Sequence, residues 1–315
     1  MKITGLPLSS YSNTLLQGLT TSEVGSLTSK ELSALSTAQI NVLSTDQIQA
    51  ITASAIVGLT SITSLDASKI FALVTAQIAA LGTGQVGGMS TAQIAALSTD
   101  QIGKLTSTQV VALSTAQVAA IETQDLAKMT TSQIKAMETR DIASFTSAQI
   151  QALTTDQINA LSSSQVKALT TAQLVALTTD QASKLSTAMV SSLTTAQIGS
   201  VATDDFAALS TGAIANLTTA QVKALTTAQV VALSTDQAGK LTTDQVKALT
   251  TEQVSKLETA DLAKLGTAHI QALSTGAIAN LTTDQIHSMS TVQITALTTA
   301  QVAALSVEQI SAIQT

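Results

Sequence analysis

From Asp66 onward a large apolar residue falls at every eighth position, Leu73, Leu81, Met89, Leu97, Leu105, Leu113 and so on to Ile313, which makes 31 unbroken octads. Upstream, Leu19, Leu27, Leu35, Leu43, Ile51 and Leu59 keep the same spacing in a different phase, and the six residues Thr60 to Leu65 shift one phase into the other. Only about the first eleven residues lie outside the pattern. The consensus is [S/T]-T-x-Q-[I/V]-x-A-L, as in STAQIAAL (90–97), TTAQVKAL (218–225) and TTAQVAAL (298–305). Position 2 is Thr or Ser nearly throughout, with Ala53, Ala67 and Val307 as exceptions. The pattern divides the chain into an amino-terminal segment or cap, residues 1–19, and an octad solenoid, residues 20–315, with a phase break at 60–65.

Positions 5 and 8 are separated by three residues, which places them on one face of a helix but on opposite faces of a strand. Gln, Ala and Leu favour helix. One continuous helix fails, because eight residues turn about 800°, roughly 80° more than two full turns, and the apolar stripe would spiral away from any core. A break is therefore needed in every octad. The Ser/Thr pair supplies it by accepting from the open N–H groups of a helix start, and Gln at position 4 gives the capping-box spacing. Either hydroxyl position could be the cap. Each octad then holds a short helix of about one and a half turns, too short to stand alone. Such units are stable only when stacked, so the predicted fold is an all-α solenoid with one short helix per octad, its most buried side chain at position 8. A β-solenoid is the rival. It suits Thr, Ile and Val, but tight β-corners need Gly, Asn or Asp, and the 14 glycines are irregularly placed.

Composition narrows the function. Charged residues are 11%, aromatics 1%, and there is no Cys or Trp. Tyr11, Phe71, Phe145 and Phe206 are all the aromatics, and Pro7 is the lone proline. Binding pockets usually need aromatics and convergent polar groups, so the reading is non-enzymatic, with no small-molecule substrate. With hydrophobics at 45% the chain is not disordered by composition. The net charge is −6, and the 14 basic residues, Arg140 and lysines, are scattered. No basic patch meets a phosphate backbone or an anionic membrane, so neither nucleic acid nor membrane is an expected partner. Without cysteine there is no disulfide and no Cys-ligated metal. The opening MKITGLPLSSYSNTLLQG lacks the apolar run of a Sec-type signal peptide, and no stretch of 18 apolar residues occurs, so no transmembrane helix is expected.

Several octads depart from the consensus. Glu122/Asp125, Glu138/Asp141 and Glu258/Asp261 pair acids at positions 1 and 4. Paired carboxylates can bind calcium or transfer protons, but calcium needs six or more converging oxygens. Lys128 and Lys264 sit three residues after Asp125 and Asp261, so the three pairs read as surface ion pairs. Asp204–Asp205 reads as an exposed turn. His269 replaces Gln at position 4 and His287 sits at position 6; both read as solvent-facing or capping. Gly82, Gly84, Gly87 and Gly88 lack phosphate-loop spacing and read as a soft spot. Gly212 and Gly276 lie in identical octads, STGAIANL, the mark of a duplicated segment. The expectation is no catalytic, cofactor-binding or metal-binding residues, and no cofactor.

The repeat L-[S/T]-T-x-Q-[I/V]-x-A-L resembles octapeptide-repeat segments of large secreted or surface proteins of bacteria, over almost the whole chain. It also resembles the helix opening of TAL-effector repeats, but the base-reading loop is missing, so DNA binding is not carried over. The composition is similar to that of flagellin-like external filament proteins. These resemblances imply a structural repeat protein that self-assembles as an extracellular bacterial filament, sheath or surface layer, exported without a Sec-type signal peptide. Both ends of the octad array look apolar, which favours head-to-tail joining into a homopolymer. The competing readings are an adhesin stalk or ligand-binding solenoid, and, on the β-fold alone, an ice- or surface-binding Thr array.

Overall fold

The computed structural model describes residues 7–60 and 62–313. Among them every regular element is helical: 36 α-helices and three short 3-10 helices, with no strand. Each α-helix has four to six residues, one per octad, so the chain is a helical solenoid and the β-alternative falls. It divides into two compact units, residues 1–160 and 161–315, each built by the same rule.

The octad folds the way its residues dictate. In TTAQVKAL the helix is Thr219–Ala224 and Thr218, at position 1, is the N-cap. The Thr218 hydroxyl accepts from Gln221 N–H at 3.1 Å, while Gln221 Oε1 accepts from Thr218 N–H at 2.8 Å. Position 1 is thus the cap and the position-2 Thr is the first helical residue, which resolves the choice the sequence left open. Leu225 at φ −61°, ψ 138° and the next cap, Thr226, at φ −72°, ψ 156° are both extended. Two extended residues turn the corner at negative φ, so the corner needs no glycine.

In each unit a helix packs against the third one along. Thr21–Gly25 lies on Thr45–Ala50 and Thr99–Gly103 on Thr123–Leu126 in the first; Thr195–Ser200 lies on Thr219–Ala224 and Thr243–Ala248 on Thr267–Ala272 in the second. Positions 5 and 8 line the interior. Contrary to expectation position 5 is the deeper: Ile78, Val110, Val222, Val246 and Ile278 are 0% exposed, whereas Leu225, Leu249 and Leu281 retain 4 to 7%. Position 5 sits inside the helix and is covered by the following turn, while position 8 sits at the corner between helices. Each such side chain contributes about 1.5–3 kcal/mol on burial.

The octad rule extends into the predicted amino-terminal segment. Ser12 caps the helix Asn13–Gln17, with Leu16 and Leu19 buried at positions 5 and 8. Before it, the 3-10 helix Leu8–Ser10 buries Leu8 and Tyr11 in the same two roles. The described part of the predicted amino-terminal segment, 7–19, therefore follows the repeat; residues 1–6 lie outside the described residues. At the phase break the 3-10 helix Ile62–Ser64 keeps the core positions, with Ile62 0% and Leu65 4% exposed. The unit has lost the two residues at positions 3 and 4, the turn that a 3-10 helix can spare.

Candidate functional site

The residue that sequence reasoning underrated is the glutamine at position 4. Its carbonyl oxygen closes the capping box, and its amide nitrogen reaches back to the preceding turn. Gln245 Nε2 donates to the carbonyls of Ile214 at 2.9 Å and Leu217 at 2.8 Å, 31 and 28 residues earlier. Gln109 does the same to Ile78 and Leu81, at 2.8 and 2.7 Å. These are positions 5 and 8 of the octad four before; the position-5 carbonyl also accepts from the position-8 N–H of its own octad, as Ile214 does from Leu217 at 3.1 Å, and the position-8 carbonyl lies past the helix end, beyond the intrahelical ladder. The glutamines are nearly fully buried, Gln109 and Gln229 at 1% and Gln245 at 2%. A buried carboxamide that satisfies its own N-cap and two distant carbonyls leaves no polar atom unpaired, the condition for burying it at all. A step of 28 residues is three and a half octads, which sets the turn.

The two-residue deletion shows that this register follows octads and not residue count. Gln47, before the break, donates 31 and 28 residues back, to Leu16 and Leu19. Gln77 and Gln85, whose bonds span the short unit, reach 29 and 26 residues back, to Ile48 and Ile51 and to Ile56 and Leu59. Gln93, beyond it, returns to 31 and 28, on Ile62 and Leu65. Lys69 at position 4 substitutes its ammonium, which donates to the Leu43 carbonyl. Glu23 and Glu31 keep the capping half, accepting from Thr20 and Thr28 N–H at 2.9 and 2.8 Å.

The position-4 aspartates of the acidic octads are buried and not on the surface, although Glu138 does pair with Arg140 there. Asp125, Asp141 and Asp261 are 2%, 0% and 1% exposed, and Asp205, expected in an exposed turn, is 5% exposed. The shorter side chain points inward from position 4. Asp125 Oδ1 accepts from Thr99 Oγ1 at 2.6 Å and Asp205 Oδ1 from Thr179 Oγ1 at 2.8 Å, each threonine 26 residues earlier. Asp261 accepts from Thr235, at the same separation. Asp141 Oδ2 accepts from Glu138 N–H at 3.0 Å, with Arg140 Nε 3.8 Å from Oδ1 and 2.9 Å from the Glu138 carboxylate. Burial pushes the carboxyls of Asp125, Asp141 and Asp261 above the usual carboxylate range, against the opposing hydrogen bonds.

The remaining singled-out residues are local fittings. His269 Nδ1 accepts from Gly266 N–H at 3.0 Å and takes over the capping half of glutamine's role; His287 is exposed. The glycine cluster is tight, not soft, at two points: a Cβ on Gly87 would lie 2.7 Å from the Ala112 carbonyl oxygen, and one on Gly88 2.8 Å from Thr63 Cγ2. Gly84 faces open space. The two STGAIANL octads place buried Ala213 and Ala277 at position 4, and Asn216 and Asn280 each donate to the glycine carbonyl four residues before, at 2.8 Å. Among the described residues no three His, Cys, Asp or Glu side chains come together in a metal-binding group. No described helix is long and apolar enough to cross a membrane.

The architecture defines a class: an α-solenoid of eight-residue units whose turns are joined by a buried glutamine. Residues 24–61, 83–115, 118–155, 134–171, 155–187, 200–235, 223–251 and 254–291 each match the ALTTAQ repeat, and together they cover well over half of the chain. The chain belongs to the ALTTAQ repeat family. No curated protein matches it.

Proposed function

We propose that this repeat protein is a non-enzymatic building element that self-associates outside the bacterial cell, as a subunit of a filament, sheath or surface layer. The observation that carries the reading is the double use of position 4. The polar residue that recurs most regularly after the Ser/Thr pair is committed to joining turn to turn, as Gln245 joins Ile214 and Leu217. What the octad leaves outside is mainly Ser, Thr and Ala, a repeated surface of low charge that suits lateral contact between copies. Exposed apolar groups add to it: Val175 is 56%, Val292 65% and Val307 75% exposed.

The test is sedimentation and electron microscopy of the full chain over rising concentration, beside the variant Val292→Ser/Val307→Ser. Concentration-dependent assembly, weakened in the variant at unchanged helix content, is the expected result. A chain that stays monomeric throughout overturns the self-association.

A further inference from the structure

Three of the four aspartates at position 4 occupy the same local environment. Each carboxyl is buried where other octads bury a carboxamide, and one oxygen accepts from a threonine 26 residues earlier for Asp125, Asp205 and Asp261. In glutamine octads the same register delivers N–H donors to carbonyls 31 and 28 residues back; for Asp261 those would be Val230 and Leu233, and for Asp125 Ile94 and Leu97. An ionised carboxylate has no hydrogen to offer. Asp261 Oδ2 is buried with no hydrogen-bond partner. A protonated carboxyl, by contrast, is a donor as well as an acceptor and resembles the amide it replaces.

We propose that Asp125 and Asp261 are proton-operated joints, at which uptake of a proton on the buried carboxyl tightens the contact between successive turns of the solenoid. The surroundings agree. Around Asp261 the charged groups are Glu258 and Lys264 on its own octad, Asp236 and Lys240 on the octad of the packed helix Thr235–Ala238, and Asp284 and His287 on the packed helix Thr283–Ser288. Around Asp125 they are Glu122 and Lys128 on its own octad, Asp100 and Lys104 on the octad of Thr99–Gly103, and Asp156 on the octad whose Gln157 donates to Leu126; the helix Ser147–Ala152 carries none. Among these, the charged neighbours that act on the two carboxyls are Glu122 and Glu258; burial, the largest effect, and both glutamates favour the protonated form, against the hydrogen bonds from Thr99 and Thr235.

The sign follows. A carboxyl that holds its proton more tightly in the fold than in the unfolded chain adds stability below the ordinary value of 3.8, and that contribution is lost as pH rises through the raised folded-state value. Asparagine puts a permanent N–H donor in the same volume. Thermal unfolding of the full chain is measured at pH 7 and pH 4 for the wild type, Asp125→Asn and Asp261→Asn. Each variant should melt about 2 °C higher than the wild type at pH 7, and the gain should vanish toward pH 4. A 13C titration of the aspartate carboxyl carbons reads the same groups without substitution and should find Asp125 and Asp261, together with the buried Asp141, titrating above 3.8. Variants that melt lower than the wild type by the same amount at both pH values, or carboxyls that titrate at or below the ordinary value, overturn the proposal.

Discussion

The side-chain amide of Gln245 donates to the carbonyl of Leu217, 28 residues earlier, at 2.8 Å. One side chain thereby joins two octads that are far apart in sequence, and the same bond recurs with the octad register in both compact units. It replaces the inter-strand ladder that a β-solenoid uses to hold its turns.

Removing that amide should cost more than removing an exposed group. Gln245→Ala leaves the Leu217 carbonyl and the Thr242 N–H without their partner and takes from the Ile214 carbonyl its second donor, the Leu217 N–H remaining. The expected loss is about 1–3 kcal/mol, the penalty for buried groups left unsatisfied. Gln245→Glu should lose at least as much at neutral pH and recover part of it in acid, because the carboxylate keeps the cap and forfeits the donor. Urea denaturation at two pH values checks both.

The reverse substitution is available where the repeat has already lost its amide. Ala277 is 1% exposed at position 4, and Ser274 caps its helix in the usual way, accepting from Ala277 N–H at 3.0 Å. Ala277→Gln should stabilise by roughly 1 kcal/mol through the added hydrogen bonds. A rise in the urea midpoint at unchanged slope is the readout; a fall would mean that the turns have closed over the missing side chain.

Two glycines of one helix, Thr83–Gly87, should respond in opposite ways. Gly84→Ala meets nothing within 4 Å and lies in a helix, so it should stabilise by about 0.5–1 kcal/mol. Gly87→Ala places a Cβ 2.7 Å from the Ala112 carbonyl oxygen and should destabilise by about 1–3 kcal/mol. Comparison of the two melting curves separates a packing glycine from a dispensable one.

Position 5 should outweigh position 6. Ile278→Ala, at a side chain 0% exposed, is expected to cost about 2–5 kcal/mol. Lys223→Ala, on an exposed face, should change stability by less than about 0.5 kcal/mol. Equal effects in chemical denaturation would contradict the inside–outside assignment.

What the sequence by itself determined was everything carried by contacts within one octad. The i, i+3 relation of Ile278 and Leu281 defines a helix face, and the Ser/Thr-x-x-Gln spacing of Ser90 and Gln93 defines its start, because both depend only on local geometry. Which hydroxyl caps was decided by the helix phase: the position-5 side chain must face the interior, and that places position 1 at the N-cap. Turn size, the second bond of Gln93 to Ile62 and Leu65, and the burial of Asp125 beside Thr99 were decided only by tertiary structure. An octad's sequence is the same whether its partner lies three or four octads away. A glutamine reads as a surface residue until the carbonyls of an earlier turn are brought within hydrogen-bond distance of it, as Ile62 and Leu65 are at 3.1 and 2.7 Å from Gln93, and an aspartate beside a lysine reads as an ion pair until a shorter reach from the same position draws it inward. Closure of the turn supplies the carbonyls and excludes the water, and no local pattern encodes either.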